Sequence, residues 1–147
     1  MTPVKAMTPV KPCTVLDGET AVRAAVGSDL GASAAIEITA ERLEQFASAT
    51  GTGDPTYLAI SLSNMFLPEI VEVRGFALGI NYGTETVRFG PPLVAGDWVR
   101  AQATLVDVIE VRGGIQTRMI ITVSTDVDGS EPICVIESLS RWLEPTR

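Results

Sequence analysis

The hydrophobic residues between positions 39 and 70 recur every three to four residues, which is the period of a helix. Thr39 is a suitable N-cap for a first helix, and Gly51 suits the position just after its C-terminus. Asp54-Pro55 predicts the start of a second helix. This second segment is apolar on most of its sides, so we expect it in the middle of the fold, and Pro68 should end or kink it.

Beyond residue 76 the hydrophobic period changes to two. The alternation predicts strands over residues 76–89, 98–109, 115–127 and 133–143, with turns at residues 90–92, 112–114 and 128–129 and a bend or bulge at Gly83. A short alternating strand over residues 35–38 precedes the first helix. One apolar helix followed by an antiparallel meander predicts an α+β fold in which the sheet wraps around a central hydrophobic helix.

The chain is predicted to contain one domain. It has 147 residues, of which 46% are hydrophobic, and this is enough for a single packed core. Residues 1–12 consist of a Pro-containing six-residue segment and a near copy of it. This pattern predicts a flexible N-terminal arm over residues 1–14 and a domain over residues 15–147.

The charges exclude two classes of partner. The formal net charge is −7, and both lysines lie in the first eleven residues, so the chain lacks the dense basic face that nucleic-acid binding needs. The longest uncharged run, over residues 55–68, is too short to cross a bilayer. The N-terminus also lacks the apolar stretch of a signal peptide. We therefore expect a cytoplasmic protein with no nucleic-acid or membrane partner.

The absence of histidine limits the chemistry further. A chain without histidine has no Ser-His-Asp or Cys-His relay, no imidazole metal ligand and no histidine general base. Cys13 and Cys134 show no CxxC spacing and predict neither a zinc site nor a disulfide framework. We expect no metal, no cofactor and a reducing compartment.

Several segments resemble a known family. Residues 39–51, TAERLEQFASATG, are similar to the first helix of MaoC-like (R)-specific enoyl-CoA hydratases and dehydratases. Asn81-Tyr82-Gly83, the VRF, PPLV, GD and VRA pieces over residues 87–101, and ESLSRW over residues 137–142 resemble strands of that family. The resemblance covers most of residues 35–143, and it implies a single hot-dog fold and a dimer.

The same resemblance reveals a departure from the family pattern. The family places a catalytic Asp before a His, and a glycine-rich loop then supplies an oxyanion-stabilising amide. Here Asp54 can stand in for the Asp, but Ala59 lies five residues further on, and the segment with the His and the overhanging loop is missing. Hydration of an enoyl thioester needs an acid and a base that work near neutrality, so ordinary hydratase activity is not expected.

The predicted site lies around the second helix and the first long strand. We expect catalytic roles for Asp54, Tyr57, Asn64 and Tyr82, and substrate-binding roles for Leu58, Ser61, Met65, Phe66, Phe76 and Asn81. Each residue has a structural alternative, because Asp54 can act as an N-cap, the other polar groups as structural hydrogen-bonding partners, and the apolar groups as core. Asn81 and Tyr82 are neighbours on a strand, so they should point to opposite faces.

Three functions are consistent with these residues. The first is a diverged enzyme that performs a lyase, cyclase or isomerase step on a hydrophobic acyl or polyketide-like substrate by holding it in shape. The second is a non-catalytic subunit that completes an intact MaoC-like partner, so that a heteromer replaces the expected homodimer. The third is a binding module for acyl thioesters, although the net charge of −7 disfavours tight docking of CoA phosphates.

Overall fold

The computed structural model describes residues 13–146, which contain three helices and eight strands. Residues 1–12 of the predicted N-terminal arm lie outside the described residues. In chain order the elements are β1 (Thr14–Asp17), α1 (Gly18–Ala24), β2 (Asp29–Ala32), β3 (Ile36–Glu37), α2 (Ala40–Thr50), α3 (Thr56–Ile70), β4 (Val71–Arg74), β5 (Leu78–Phe89), β6 (Trp98–Val111), β7 (Gly114–Thr125) and β8 (Cys134–Leu143).

Six of the strands form one antiparallel sheet. Its order is β2-β6-β7-β8-β5, and the short β3 pairs with the N-terminal end of β6. The predicted α+β class and the four long strands are confirmed. A second, two-stranded sheet joins β1 and β4 in parallel, with Thr14 opposite Val71. This small sheet and helix α1 were not predicted, because segments of four to seven residues are too short for a clear hydrophobic period.

Helix α2 begins and ends where the sequence predicts. The hydroxyl of Thr39 accepts a hydrogen bond from the Arg42 amide at 3.0 Å and so caps the N-terminus. Gly51 adopts a φ of 75° and donates its amide to the Ala47 carbonyl at 2.8 Å, which closes the C-terminus. Helix α3 begins at Thr56, so only residues 51–55 connect the two helices.

Helix α3 supplies the centre of the core. Leu62, Phe66 and Ile70 are spaced by four residues, lie on one face and are almost fully buried. They share a single hydrophobic cluster with inward-facing residues of β6, β7 and β8, which alternate with outward-facing ones. The predicted position of this helix against the sheet is therefore confirmed.

The structure differs from the helix prediction in two details. Of the two predicted effects of Pro68, the helix end is wrong, because the helix continues for one more half-turn to Ile70. It is also not buried all round, because Tyr57 and Met65 are 65% and 41% exposed. The sheet buries one face of α3, whereas Tyr57 and Met65 lie on a face that is largely exposed.

Strand β5 forms one edge of the large sheet. It pairs with β8 on one side only, and most of its residues are exposed. Its register against β8 shifts between Asn81 and Gly83 and again between Thr84 and Val87, so the predicted bulge near Gly83 is confirmed. The first shift leaves Tyr82 as the extra residue on this strand.

No helix among residues 13–146 is both long enough and apolar enough to span a membrane.

Candidate functional site

A cleft separates helix α3 from the β5 edge of the sheet, and it has a volume of about 190 Å³. We call it the helix–sheet cleft. Its walls come from one face of α3 and from the inner faces of β5, β7 and β8. The residues that line it are Ile60, Ser61, Ser63, Asn64, Leu67, Asn81, Thr84, Ile121, Ile136, Ser138 and Ser140. Seven of these eleven side chains are polar, and none of them is ionisable.

The polar wall follows from strand alternation. Ile136, Ser138 and Ser140 are spaced by two residues on β8, so they share its inner face. The register then places Asn81 of β5 opposite Ser140, and Thr84 opposite Ser138. Small hydroxyl and amide side chains fill less space than the leucines and isoleucines elsewhere in the core. This part of the sheet therefore stands clear of the helix, and the cleft results.

Asn64 and Asn81 connect the two walls. The side-chain amide of Asn81 donates a hydrogen bond to the Oδ1 atom of Asn64, and the N···O distance is 3.3 Å. This contact uses one donor and one acceptor of the pair. The amide group of Asn64 retains two N–H donors, and Asn81 retains its carbonyl oxygen. The pair can therefore both donate to and accept from a ligand in the cleft.

The helix serines contribute mainly acceptors. Ser61 donates its hydroxyl to the Tyr57 carbonyl at 2.9 Å, and Ser63 donates to the Ile60 carbonyl at 2.6 Å. Their donors are thus used within the helix, whereas their oxygen lone pairs remain available. Across the cleft, the hydroxyl groups of Thr84, Ser138 and Ser140 have no hydrogen-bond partner within residues 13–146. Those three hydroxyls can donate as well as accept.

Asp54 lies at the N-terminus of α3, outside the cleft lining. Its Oδ1 atom accepts hydrogen bonds from the amide and the hydroxyl of Thr56, and the amide N···O distance is 3.0 Å. These two hydrogen bonds hold the pKa of Asp54 below its ordinary value. A fully exposed carboxylate with a lowered pKa is a weak general base, so this geometry fits a structural role better than catalysis. The N-cap position itself is Pro55, and Asp54 lies one residue earlier than predicted for the cap.

The two predicted tyrosines also lie outside the cleft lining. The Tyr57 ring is stacked on Phe89, with the ring centroids 5.7 Å apart. The Tyr82 ring lies under the guanidinium of Arg141, which is 3.6 Å from its centroid. Asn81 points into the cleft and Tyr82 does not, as expected for neighbours on a strand.

The four predicted apolar residues also lie outside the lining. Leu58 and Phe66 are 6% and 1% exposed and belong to the hydrophobic core. Met65 lies on the exposed face of α3. Phe76 packs against Trp142, with ring centroids 6.5 Å apart.

The structure therefore brings together three of the ten predicted residues, namely Ser61, Asn64 and Asn81. Sequence reasoning missed Ser63 on the helix wall and the hydroxyl residues of the opposite wall, which are Thr84, Ser138 and Ser140. The period-two alternation of β8 already placed Ser138 and Ser140 on one face, and that signal could have identified them.

The described residues contain no group of three or more His, Cys, Asp or Glu side chains that could hold a metal ion. The cleft itself offers only neutral oxygen and amide groups, which on their own bind divalent cations poorly. The polar groups that line the cleft can act on a ligand through hydrogen bonds.

An antiparallel sheet that packs around one long helix, with a cleft at its edge, is the arrangement of hot-dog proteins. The Mycobacterium tuberculosis H37Rv protein called 3-hydroxyacyl-thioester dehydratase Z is 31% identical to this chain over 140 residues, covering 82% of this chain and 92% of that protein. The chain thus belongs to the MaoC-like family of hot-dog hydratases and dehydratases. No protein-family profile matches it.

Solved structures share the fold at lower identity. The MaoC-like dehydratase from Rhodospirillum rubrum superimposes with a TM-score of 0.60 at 15% identity, over 84% of this chain and 95% of that chain. A chain of the ChsH1-ChsH2 complex from Mycobacterium tuberculosis gives a TM-score of 0.56 at 14% identity, over 88% of this chain and 95% of that chain.

Proposed function

We propose that this protein is a diverged MaoC-like enzyme that holds a hydrophobic acyl or polyketide-like substrate in a reactive shape. The reaction is of the lyase, cyclase or isomerase type, and it proceeds without the Asp/His pair of ordinary hydratases. The observation that carries the proposal is the helix–sheet cleft, whose lining contains hydroxyls and amides but no ionisable group.

Neutral donors are suited to such a reaction. The free N–H groups of Asn64 can polarise a substrate carbonyl, and the aliphatic residues Ile60 and Leu67 can hold a hydrocarbon segment beside it. Confinement of a flexible chain in one reactive conformation supplies up to about 7–11 kcal/mol of barrier reduction in well-oriented intramolecular reactions. Substrates that are already reactive therefore need little help from acids or bases.

A reactive thioester tests this proposal. A 3,5-dioxo acyl thioester forms a pyrone when its C5 enol oxygen attacks the thioester carbon, so that a C–O bond forms and the thiol leaves. We expect the protein to accelerate thiol release or to change the product ratio, as measured by thiol titration and mass spectrometry. Asn64→Leu should reduce this effect by roughly tenfold, the value of one lost hydrogen bond.

Two controls complete the experiment. Crotonyl-CoA should take up water at the rate seen in buffer, because the cleft contains no proton-transferring group. Gln102→Leu makes the same amide-to-leucine change at an exposed position of β6 and should behave like the wild type. Dioxo thioester chemistry identical with and without protein, or brisk hydration of crotonyl-CoA, would contradict the proposal.

We further propose that the protein works as a dimer, most simply with a second copy of itself. Three exposed features support this proposal: the unpaired edge of β5, the Tyr57–Phe89 stack and Met65. A heteromer with an intact MaoC-like subunit is the second candidate, and the solved ChsH1-ChsH2 complex shows that two different chains can associate in proteins of this fold.

Native mass spectrometry distinguishes these assemblies. A homodimer that retains the thiol-releasing activity supports the first candidate. The heteromer is supported if the homodimer is inactive and hydratase activity appears only after a histidine-containing homologue is added. A monomer at micromolar concentration would contradict both.

A further inference from the structure

The helix–sheet cleft is unusually polar for a site that accepts an acyl chain. A saturated chain in this cleft would cover five groups without offering them a hydrogen bond: the hydroxyls of Thr84, Ser138 and Ser140, the amide N–H groups of Asn64 and the carbonyl of Asn81. Each buried polar group that loses water and finds no partner costs about 1–3 kcal/mol. Several such losses outweigh the gain of about 0.8 kcal/mol for each methylene that is buried. A plain fatty acyl chain is therefore a poor occupant.

The same cleft rejects charged occupants. Its lining has no cation to pair with a carboxylate or phosphate, and no anion to pair with an amine. Burial of an unpaired charge is far more costly than burial of a hydroxyl or ketone. The net charge of −7 adds repulsion against anions. The occupant must be uncharged along the segment that lies in the cleft.

We infer that the cleft selects an uncharged acyl chain that carries several oxygen substituents, as in a partly reduced polyketide chain. This inference rests on the proposed function and names the substrate class of the same site. The amide N–H groups of Asn64 donate to one substrate oxygen, and the carbonyl of Asn81 accepts from a substrate hydroxyl. Ser138 and Ser140, spaced by two residues along one strand face, hydrogen-bond to the next oxygen along the chain.

Three probes of equal chain length test the inference. They are the N-acetylcysteamine thioesters of decanoic, 3-hydroxydecanoic and 3,5-dihydroxydecanoic acid, which share one neutral carrier. Binding is measured by isothermal titration calorimetry. We expect the Kd to fall from the first probe to the third, by several-fold to roughly tenfold for each added hydroxyl, because one hydrogen bond contributes about 0.5–1.5 kcal/mol.

Variants assign the selectivity to named side chains. Asn64→Leu and Asn81→Leu should each bring the Kd values of the three probes to within a few-fold of one another. The double variant Ser138→Ala with Ser140→Ala removes two hydroxyls with little change of volume, and it should weaken only the binding of the dihydroxy probe. Gln102→Leu, which lies outside the cleft, should keep the full preference. Circular dichroism checks that every variant is folded.

The outcomes separate this inference from the proposed function. Tighter binding of the dihydroxy probe, lost in the asparagine variants and retained in Gln102→Leu, supports the inference. Equal or tighter binding of the decanoyl probe overturns the inference but leaves an acyl-binding enzyme intact. Failure of all three probes to bind at millimolar concentration overturns both.

Discussion

A substitution at Gly79 tests whether the sheet near the cleft is packed as described. Gly79 of β5 lies directly opposite Trp142 of β8, and the indole ring covers the glycine. A Cβ atom added at Gly79 would lie 2.6 Å from Cζ3 and 2.9 Å from Cε3 of that ring. These distances are far inside van der Waals contact, so Gly79→Ala must displace the indole.

The displacement has two costs. Trp142 donates its indole N–H to the hydroxyl of Thr117 at 3.0 Å, and Thr117 is fully buried. Overpacking costs about 1–3 kcal/mol, and a weakened buried hydrogen bond costs about 1–3 kcal/mol more. We expect Gly79→Ala to reduce the free energy of unfolding by about 2–6 kcal/mol, which corresponds to roughly 6–18 °C in Tm.

The matched control is Gly83→Ala on the same strand. A Cβ atom at Gly83 meets no atom within 4 Å, and its φ is not in the left-handed region. This variant should be neutral or gain up to about 1 kcal/mol, since alanine restricts the unfolded chain. Urea unfolding followed by circular dichroism compares the two variants without relying on the fluorescence of Trp142 itself. Equal urea midpoints for Gly79→Ala and Gly83→Ala would refute the reasoning.

Three further outcomes are expected. Phe66→Ala empties the centre of the core, where Phe66 is 1% exposed, and should cost about 3–5 kcal/mol in urea unfolding; a loss below about 1 kcal/mol would contradict the central position of α3. Iodoacetamide at pH 8 should modify exposed Cys13 and spare Cys134 until the protein unfolds, because Cys134 is buried and burial raises the pKa of its thiol. Peptide mass spectrometry measures the extent of labelling at each cysteine, and rapid labelling of Cys134 in the native protein would exclude its burial. The hydrogen bonds from Thr56 lower the pKa of Asp54, so the charge of Asp54 stabilises the fold above its ordinary pKa of 3.8. This stabilisation is lost as the pH falls through the lower pKa of the folded state, so the Tm of the wild type should exceed that of Asp54→Asn by less and less along that range. A Tm difference that grows on acidification would show that the pKa of Asp54 is raised rather than lowered.

The sequence predicted those parts of the fold that depend on local chemistry. Helix α2 was predicted with both of its caps, because the Thr39 hydroxyl and the left-handed Gly51 act within a few residues of the positions they close. The β6–β7 hairpin was predicted from alternation and from glycine at its turn, where Gly113 has a φ of 85°.

Long-range pairing was beyond such reasoning. The parallel contact of β1 with β4 joins segments from opposite ends of the N-terminal half, and neither segment shows a periodic signal. The opposite wall of the cleft depends on the register of β5 against β8, which two irregularities in β5 shift. Ser138 and Ser140 could be assigned to one strand face, but their position opposite Asn81 and Thr84 required the structure.

Pro68 gives helix α3 a property that bears on the cleft. Proline has no N–H, so the backbone carbonyl four residues earlier, which belongs to Asn64, lacks the donor that an α-helix normally provides. The helix therefore lacks one backbone hydrogen bond, and it lacks it at the residue whose side chain contacts Asn81. The C-terminal turn of α3 is therefore held by one backbone hydrogen bond fewer than a regular helix, at the point where its wall of the cleft meets β5.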